Sequence, residues 1–140
     1  MNKILYKGMF AIVITLFFSL LYINYLLFYP VKTLEIKNAT VMTKQLHAGD
    51  LFLYKVDYCK YTKAPAMVYR TFHKVDESHI ETFPAVQTTT LVGCNIMEIP
   101  LQTYRIVQSG EYYMLVTVIF QISPLRQEQV TFSTDNFKII

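Results

Sequence analysis

The side chains best equipped for chemistry crowd into one short stretch, His73, Asp76, Glu77 and His79. Two imidazoles beside two carboxylates are the donors of a metal site or of an acid–base pair. Neither the histidines nor the cysteines of the chain have the close spacing usual for zinc, and a polar turn between strands uses the same residue types. His73 and His79 are thus metal candidates that lack the expected spacing. A blue-copper centre needs two His, a Cys and a weak axial Met, but no histidine closely follows Cys59 or Cys94. For nucleophilic catalysis, Ser78, Ser109, Ser123 and Ser133 fall in polar turns without the glycine-flanked elbow that exposes a reactive serine. The chain has four glycines, and none forms a phosphate-cradling loop. With no nucleophile and base to pair, the expectation is a protein that is not an enzyme and carries no cofactor.

The element that precedes these residues says where they work. From Met9 to Tyr29 there are 21 residues without a charge. As a helix they span about 31 Å, close to the ~30 Å hydrocarbon core of a bilayer. Lipid offers the backbone no partners, so such a run must be helical. A cleavable signal is the alternative, giving a secreted domain. The apolar run exceeds the ~7–15 residues of a signal core, and Tyr-Leu-Leu-Phe-Tyr-Pro lacks the small residues a signal peptidase requires. Tyr22, Tyr25 and Tyr29 instead suit the aromatic belt at a membrane interface. The expected organisation is a cytoplasmic tail over residues 1–7, a transmembrane signal anchor over 8–30 and an exported domain over 31–140. Lys3 and Lys7 favour a cytoplasmic amino terminus, which leaves the carboxyl-terminal domain periplasmic or extracellular.

Charge supports the same division. All ten acidic residues and ten of the thirteen basic ones follow residue 32, so the net +3 rests on Lys3, Lys7 and Lys32 at the ends of the helix. The exported part is neutral and gives a nucleic-acid partner no basic footprint. Within the helix Gly8, Ala11, Thr15 and Ser19 fall on one stripe at helical spacing. Small residues so placed let a second helix approach closely, and the hydroxyls of Thr15 and Ser19 are donors for such a contact.

Beyond Pro30 the pattern becomes alternation. In "GDLFLYKVDYCKY" Phe52, Tyr54, Val56 and Tyr58 share one face, with Leu53, Lys55, Asp57 and Cys59 on the other. "EYYMLVTVIFQI" does the same with Tyr112, Met114, Val116, Val118, Phe120 and Ile122. Period two with frequent turns predicts an all-β domain, a two-sheet sandwich of about seven strands. Lys55, Lys60, Lys63 and Arg70 lie among Tyr54, Tyr58, Tyr61 and Tyr69. This pattern reads as a contact patch for acidic lipid or a partner, or as buried tyrosines with solvated cations.

"SGEYYML" resembles the start of the sixth strand of immunoglobulin-like domains, where Gly-x-Tyr sets a tyrosine corner. The resemblance implies that the Tyr112 hydroxyl bonds back to the backbone before it. Met114 stands where antibody domains carry their second core cysteine, and the chain has no tryptophan, so the likeness is one of architecture. It places Cys59 and Cys94 on antiparallel neighbours of one sheet, where an exported pair can oxidise. Two buried free thiols are the alternative. Closing that loop adds about 4 kcal/mol by chain entropy.

The functional expectation is a single-pass, membrane-anchored accessory module of a membrane or envelope complex. Its partners are the bilayer and proteins met through the sandwich and the helix. A tethered carrier or chaperone of a metal or small ligand is the alternative.

Overall fold

The computed structural model describes residues 3–103 and 108–140. Met1 and Asn2 of the expected 1–7 tail lie outside them. Helix α1 runs over Lys3–Phe28, so it begins five residues before the expected span and stops two short of Pro30. Its stretch from Tyr6 to Phe28, 23 residues, is long and apolar enough to cross a membrane, and none of it is buried in the rest of the protein.

Among the described residues ten strands follow, in two sheets. The first sheet contains β1 (Leu34–Val41), β3 (Leu51–Lys60) and β7 (Gly93–Gln102), in the order β1-β3-β7. The second is built on β4 (Ala66–Lys74) and β8 (Gly110–Ser123). β9 (Arg126–Ser133) and β10 (Phe137–Ile139) line one side of β8, while β5 (Ile80–Thr82) and β6 (Val86–Thr88) pair with β4. β2 (Gln45–Leu46) joins β10 in the only parallel pairing among the described strands. Six strands have eight residues or more, and the other four are pieces of two or three. The expected count of about seven merged some of these pieces with their neighbours and missed β2.

Each long strand forms for a visible reason. β3 and β8 combine β-branched and aromatic residues with strict alternation, which suits a pleated, half-buried surface. In β8, Tyr112, Met114, Val116, Val118 and Phe120 are all buried. β1 carries a bulge between Ile36 and Asn38, where the ladder with β3 slips by one. β9 and β10 are one run in sequence, divided at Thr134. There Thr134 N donates to the Met114 carbonyl at 2.9 Å, and its Oγ1 accepts from Met114 N at 3.1 Å. The hydroxyl thus keeps β8 satisfied while the neighbouring strand is interrupted.

The inward faces of the two sheets meet in one core. At the end remote from α1 this core is aromatic. Phe52 contacts Phe72 and Phe137 with ring centroids 5.0 and 4.7 Å apart, and Phe72 meets Phe83 at 4.7 Å. Edge-to-face and tilted rings at such distances are the favoured arrangement of aromatic quadrupoles.

Candidate functional site

At the end nearer α1 the core is not filled. A cavity of about 210 Å³ lies between the sheets there. Its walls come from Leu34 and Ile36 of β1, Met97 and Ile99 of β7, and Val118 and Phe120 of β8. Val56 on β3 and Ala66 and Val68 on β4 are small and leave space between the rings of Tyr58, Phe120 and Phe132 that share the lining. Most of the lining is apolar.

Strand parity puts two cations on these walls. The inward series of β3 runs Phe52, Tyr54, Val56, Tyr58 and then Lys60. That of β4 runs Ala66, Val68, Arg70 and Phe72. Lys60 is 1% exposed. Its Nζ donates to the Thr90 carbonyl at 2.9 Å and stands 5.8 Å from the centre of the Phe120 ring. Burial pushes its pKa below the ordinary lysine value. The Arg70 Nε is buried without a hydrogen-bond partner. Burial pushes the Tyr54 hydroxyl up, and the charge and hydrogen bonding of Arg70 pull it partly back. Among the described residues neither cation forms an ion pair. A mostly apolar cleft whose charged wall residues are two cations without a carboxylate partner is chemically complementary to a negative, mostly apolar molecule.

A covalent bond holds this end together. Cys59 and Cys94 are direct partners across β3 and β7 and form a disulfide, with α-carbons 3.9 Å apart. The next pair along the ladder is Lys60 with Gly93. Gly93 has φ +116°, a conformation that side chains rarely adopt. The staple therefore sits beside the cationic wall and within one sheet.

The helix is fastened to the same end. Ser123 Oγ donates to the Leu26 carbonyl at 2.9 Å, and Arg126 Nη1 donates to the Pro30 carbonyl at 2.7 Å. Ser123 closes β8 and Arg126 opens β9, so the two flank the turn between these strands, and an orphan carbonyl in the last turn of α1 finds a donor there. Arg126 also pairs with Glu128.

The expected site residues fare unequally. His73 and His79 do not converge. The His73 Nε2 pairs with the Thr71 hydroxyl at 2.8 Å while its ring stacks on Tyr113. His79 lies 3.6 Å from Glu81, a residue that faces Phe72 in the core ladder rather than His73. Among the described residues no three of His, Cys, Asp or Glu gather as a metal site. On α1, Thr15 Oγ1 donates to the Ala11 carbonyl at 2.9 Å and Ser19 Oγ to the Thr15 carbonyl at 2.8 Å. The stripe of Gly8, Ala11, Thr15 and Ser19 thus places its hydroxyl protons on carbonyls of its own helix. The Tyr112 hydroxyl donates to the Gln108 carbonyl at 3.1 Å. The reading of Lys60 and Arg70 as solvated cations is overturned, since both turn inward. Continuing the alternation one step past Tyr58, and noticing Arg70 between Val68 and Phe72, would have shown it.

No family model matches the sequence, and no curated protein matches it either. Among solved structures, the alkylpurine DNA glycosylase AlkC of Pseudomonas fluorescens, bound to DNA containing an abasic-site analogue, is 14% identical with a TM-score of 0.46, over 78% of this chain and 31% of that one. A β-glucosidase of Erythrobacter marinus is 10% identical with a TM-score of 0.41, over 74% and 15%. The β-glucosidase of Listeria innocua is 11% identical with a TM-score of 0.39, over 76% and 15%. The chain therefore spans less than a third of each neighbour's length. Likeness at this level carries no argument about what the chain does.

Proposed function

We propose that this chain is a non-enzymatic binding module, an immunoglobulin-like sandwich held at a membrane surface by a transmembrane α1. The observation that carries the reading is the junction at the end of the helix. An apolar, unburied helix stops at Phe28, and the polar bonds from Ser123 and Arg126 reach the chain at Leu26 and Pro30, on either side of that end. That is where a bilayer's hydrocarbon would end and its headgroups begin. The disulfide fits an oxidising compartment on the far side of the membrane. Support for the immunoglobulin-like type comes from the order β1-β3-β7 in one sheet against β4, β8 and β9 in the other, together with the Tyr112–Gln108 bond.

The cleft with Lys60 and Arg70 favours a second reading, a tethered carrier of a small ligand. It does not extend to a metal, because His73 and His79 engage separate partners. Anchoring and orientation are tested together. Membranes bearing the chain are washed in alkaline carbonate, then sealed vesicles are treated with protease from the outer side. The chain is expected to stay in the pellet and to lose its sandwich to the protease. Release into the supernatant contradicts the anchor, and full protection of the sandwich contradicts the orientation.

A further inference from the structure

We propose that the cleft between the sheets binds one single-chain anionic amphiphile, a fatty acid or a lysophospholipid drawn from the adjoining bilayer. The inference rests on the reading that α1 holds the sandwich against a membrane. Four observations converge on this ligand. The walls are apolar, and a space of about 210 Å³ falls below the ~300–1,000 Å³ of pockets for drug-sized molecules. A flexible chain suits it better than a fused ring system. Both charged side chains on the walls are cationic, and no carboxylate of the described residues neutralises them. The Arg70 Nε lacks a partner. A carboxylate or phosphate that meets the guanidinium side-on takes Nε–H and one Nη–H in parallel. Finally, the cleft occupies the helix-side end of the sandwich. β3 ends at Lys60, and the following segment, Tyr61 to Lys63, shares a surface depression with Tyr25, Tyr29 and Pro30 at the end of α1.

In this arrangement the head of the ligand meets Arg70, and its chain lies between Val68 and Val118 on one sheet and Met97 on the other. Lys60 lies at the other end of the cleft, nearer the helix, with its Nζ held by the Thr90 carbonyl. Binding is non-covalent and breaks no bond.

The test is native mass spectrometry of the full chain released from octyl glucoside micelles. The micelles are charged in turn with dodecanoate, lauroyl lysophosphatidate, dodecylamine or an uncharged leucine-rich peptide. One dodecanoate per chain is expected, with retention of dodecylamine at least tenfold lower. Retention of lysophosphatidate as well assigns the site to membrane lysolipids, and dodecanoate alone assigns it to free fatty acids; either supports the proposal. Arg70→Met should weaken retention about tenfold, as expected for loss of a charge-assisted bidentate contact. Val118→Phe, which fills the space without touching the charges, should abolish it. Melting curves of both variants identify any that fail to fold. Equal retention of amine and carboxylate, peptide binding without dodecanoate, or unchanged retention in both folded variants overturns the proposal. A chain that pellets with membranes yet refuses dodecanoate defeats this inference alone. One that binds dodecanoate yet stays in the supernatant defeats the anchored reading alone.

Discussion

The two ends of this sandwich are held by different materials. At the end remote from the helix, Phe52, Phe72, Tyr112 and Phe137 are buried and their rings interlock. At the helix side, Val56, Val68, Val118 and Ala66 leave open space beside the rings of Tyr58 and Phe120, and the walls carry the buried Lys60 and the half-buried Arg70. That end instead has a disulfide across β3 and β7, and two hydrogen bonds from the β8–β9 turn to the end of α1. A covalent staple limits the unfolded chain and needs no side-chain volume. The difference teaches that a small domain can leave part of its core unfilled where such bonds hold its edges. The aromatic end then supplies most of the packing energy.

The largest expected effect lies at the aromatic end. Phe72→Ala should cost about 3–5 kcal/mol in denaturant unfolding, the usual range for a fully buried ring. Phe132→Ala, on the cavity wall and only partly buried, should cost less than about 2 kcal/mol, because the space beside it already exists. Equal costs would erase the contrast between the ends.

Next in size is the staple. Replacing both Cys59 and Cys94 by Ala should cost about 2–4 kcal/mol. Hydrogen exchange should then quicken first at the amides of residues 58–60 and 93–95, ahead of those around Met114. Earlier exchange at Met114 would mean that the staple serves the whole domain rather than one end.

The smallest effect has the opposite sign. Lys60→Met should raise stability by about 1 kcal/mol at neutral pH, since it removes a buried charge that has no counter-ion. Folding lowers the Lys60 pKa, so the unfolded chain holds that proton more tightly. The native protein is therefore handicapped below its folded pKa and recovers as pH rises toward the unfolded value of about 10.4. The advantage of the variant should shrink over that interval. An advantage that stays constant from pH 7 to 11 would show that Lys60 carries no burial penalty.

Much of this was legible in the residues. The uncharged run of 21 residues and the alternation of β3 and β8 follow from period and position, while the pairing of Cys59 with Cys94 was implied by the resemblance to immunoglobulin-like domains. Other features depend on contacts that no local pattern encodes. The parallel pairing of β2 with β10 brings Gln45 to Lys138 across most of the domain. The division between β9 and β10 depends on the Thr134 hydroxyl reaching the Met114 amide. Lys60 and Arg70 were obscured by their chemistry: a cation is usually solvated, and only the parity of strands already established turns these two inward. His73 and His79 misled for the converse reason. They are near in sequence, but strand pairing gives them separate neighbours.

A matched pair of substitutions tests the hollow end most directly. Val116 and Val118 are both buried on the inward face of β8, yet only Val118 lines the cavity. Each is changed to Phe and unfolded in denaturant. The account predicts that Val118→Phe stays within about 1 kcal/mol of the parent or exceeds it, while Val116→Phe loses about 1–3 kcal/mol to overpacking. Losses of equal size would mean that the core is filled throughout, and the cleft with its proposed ligand would go.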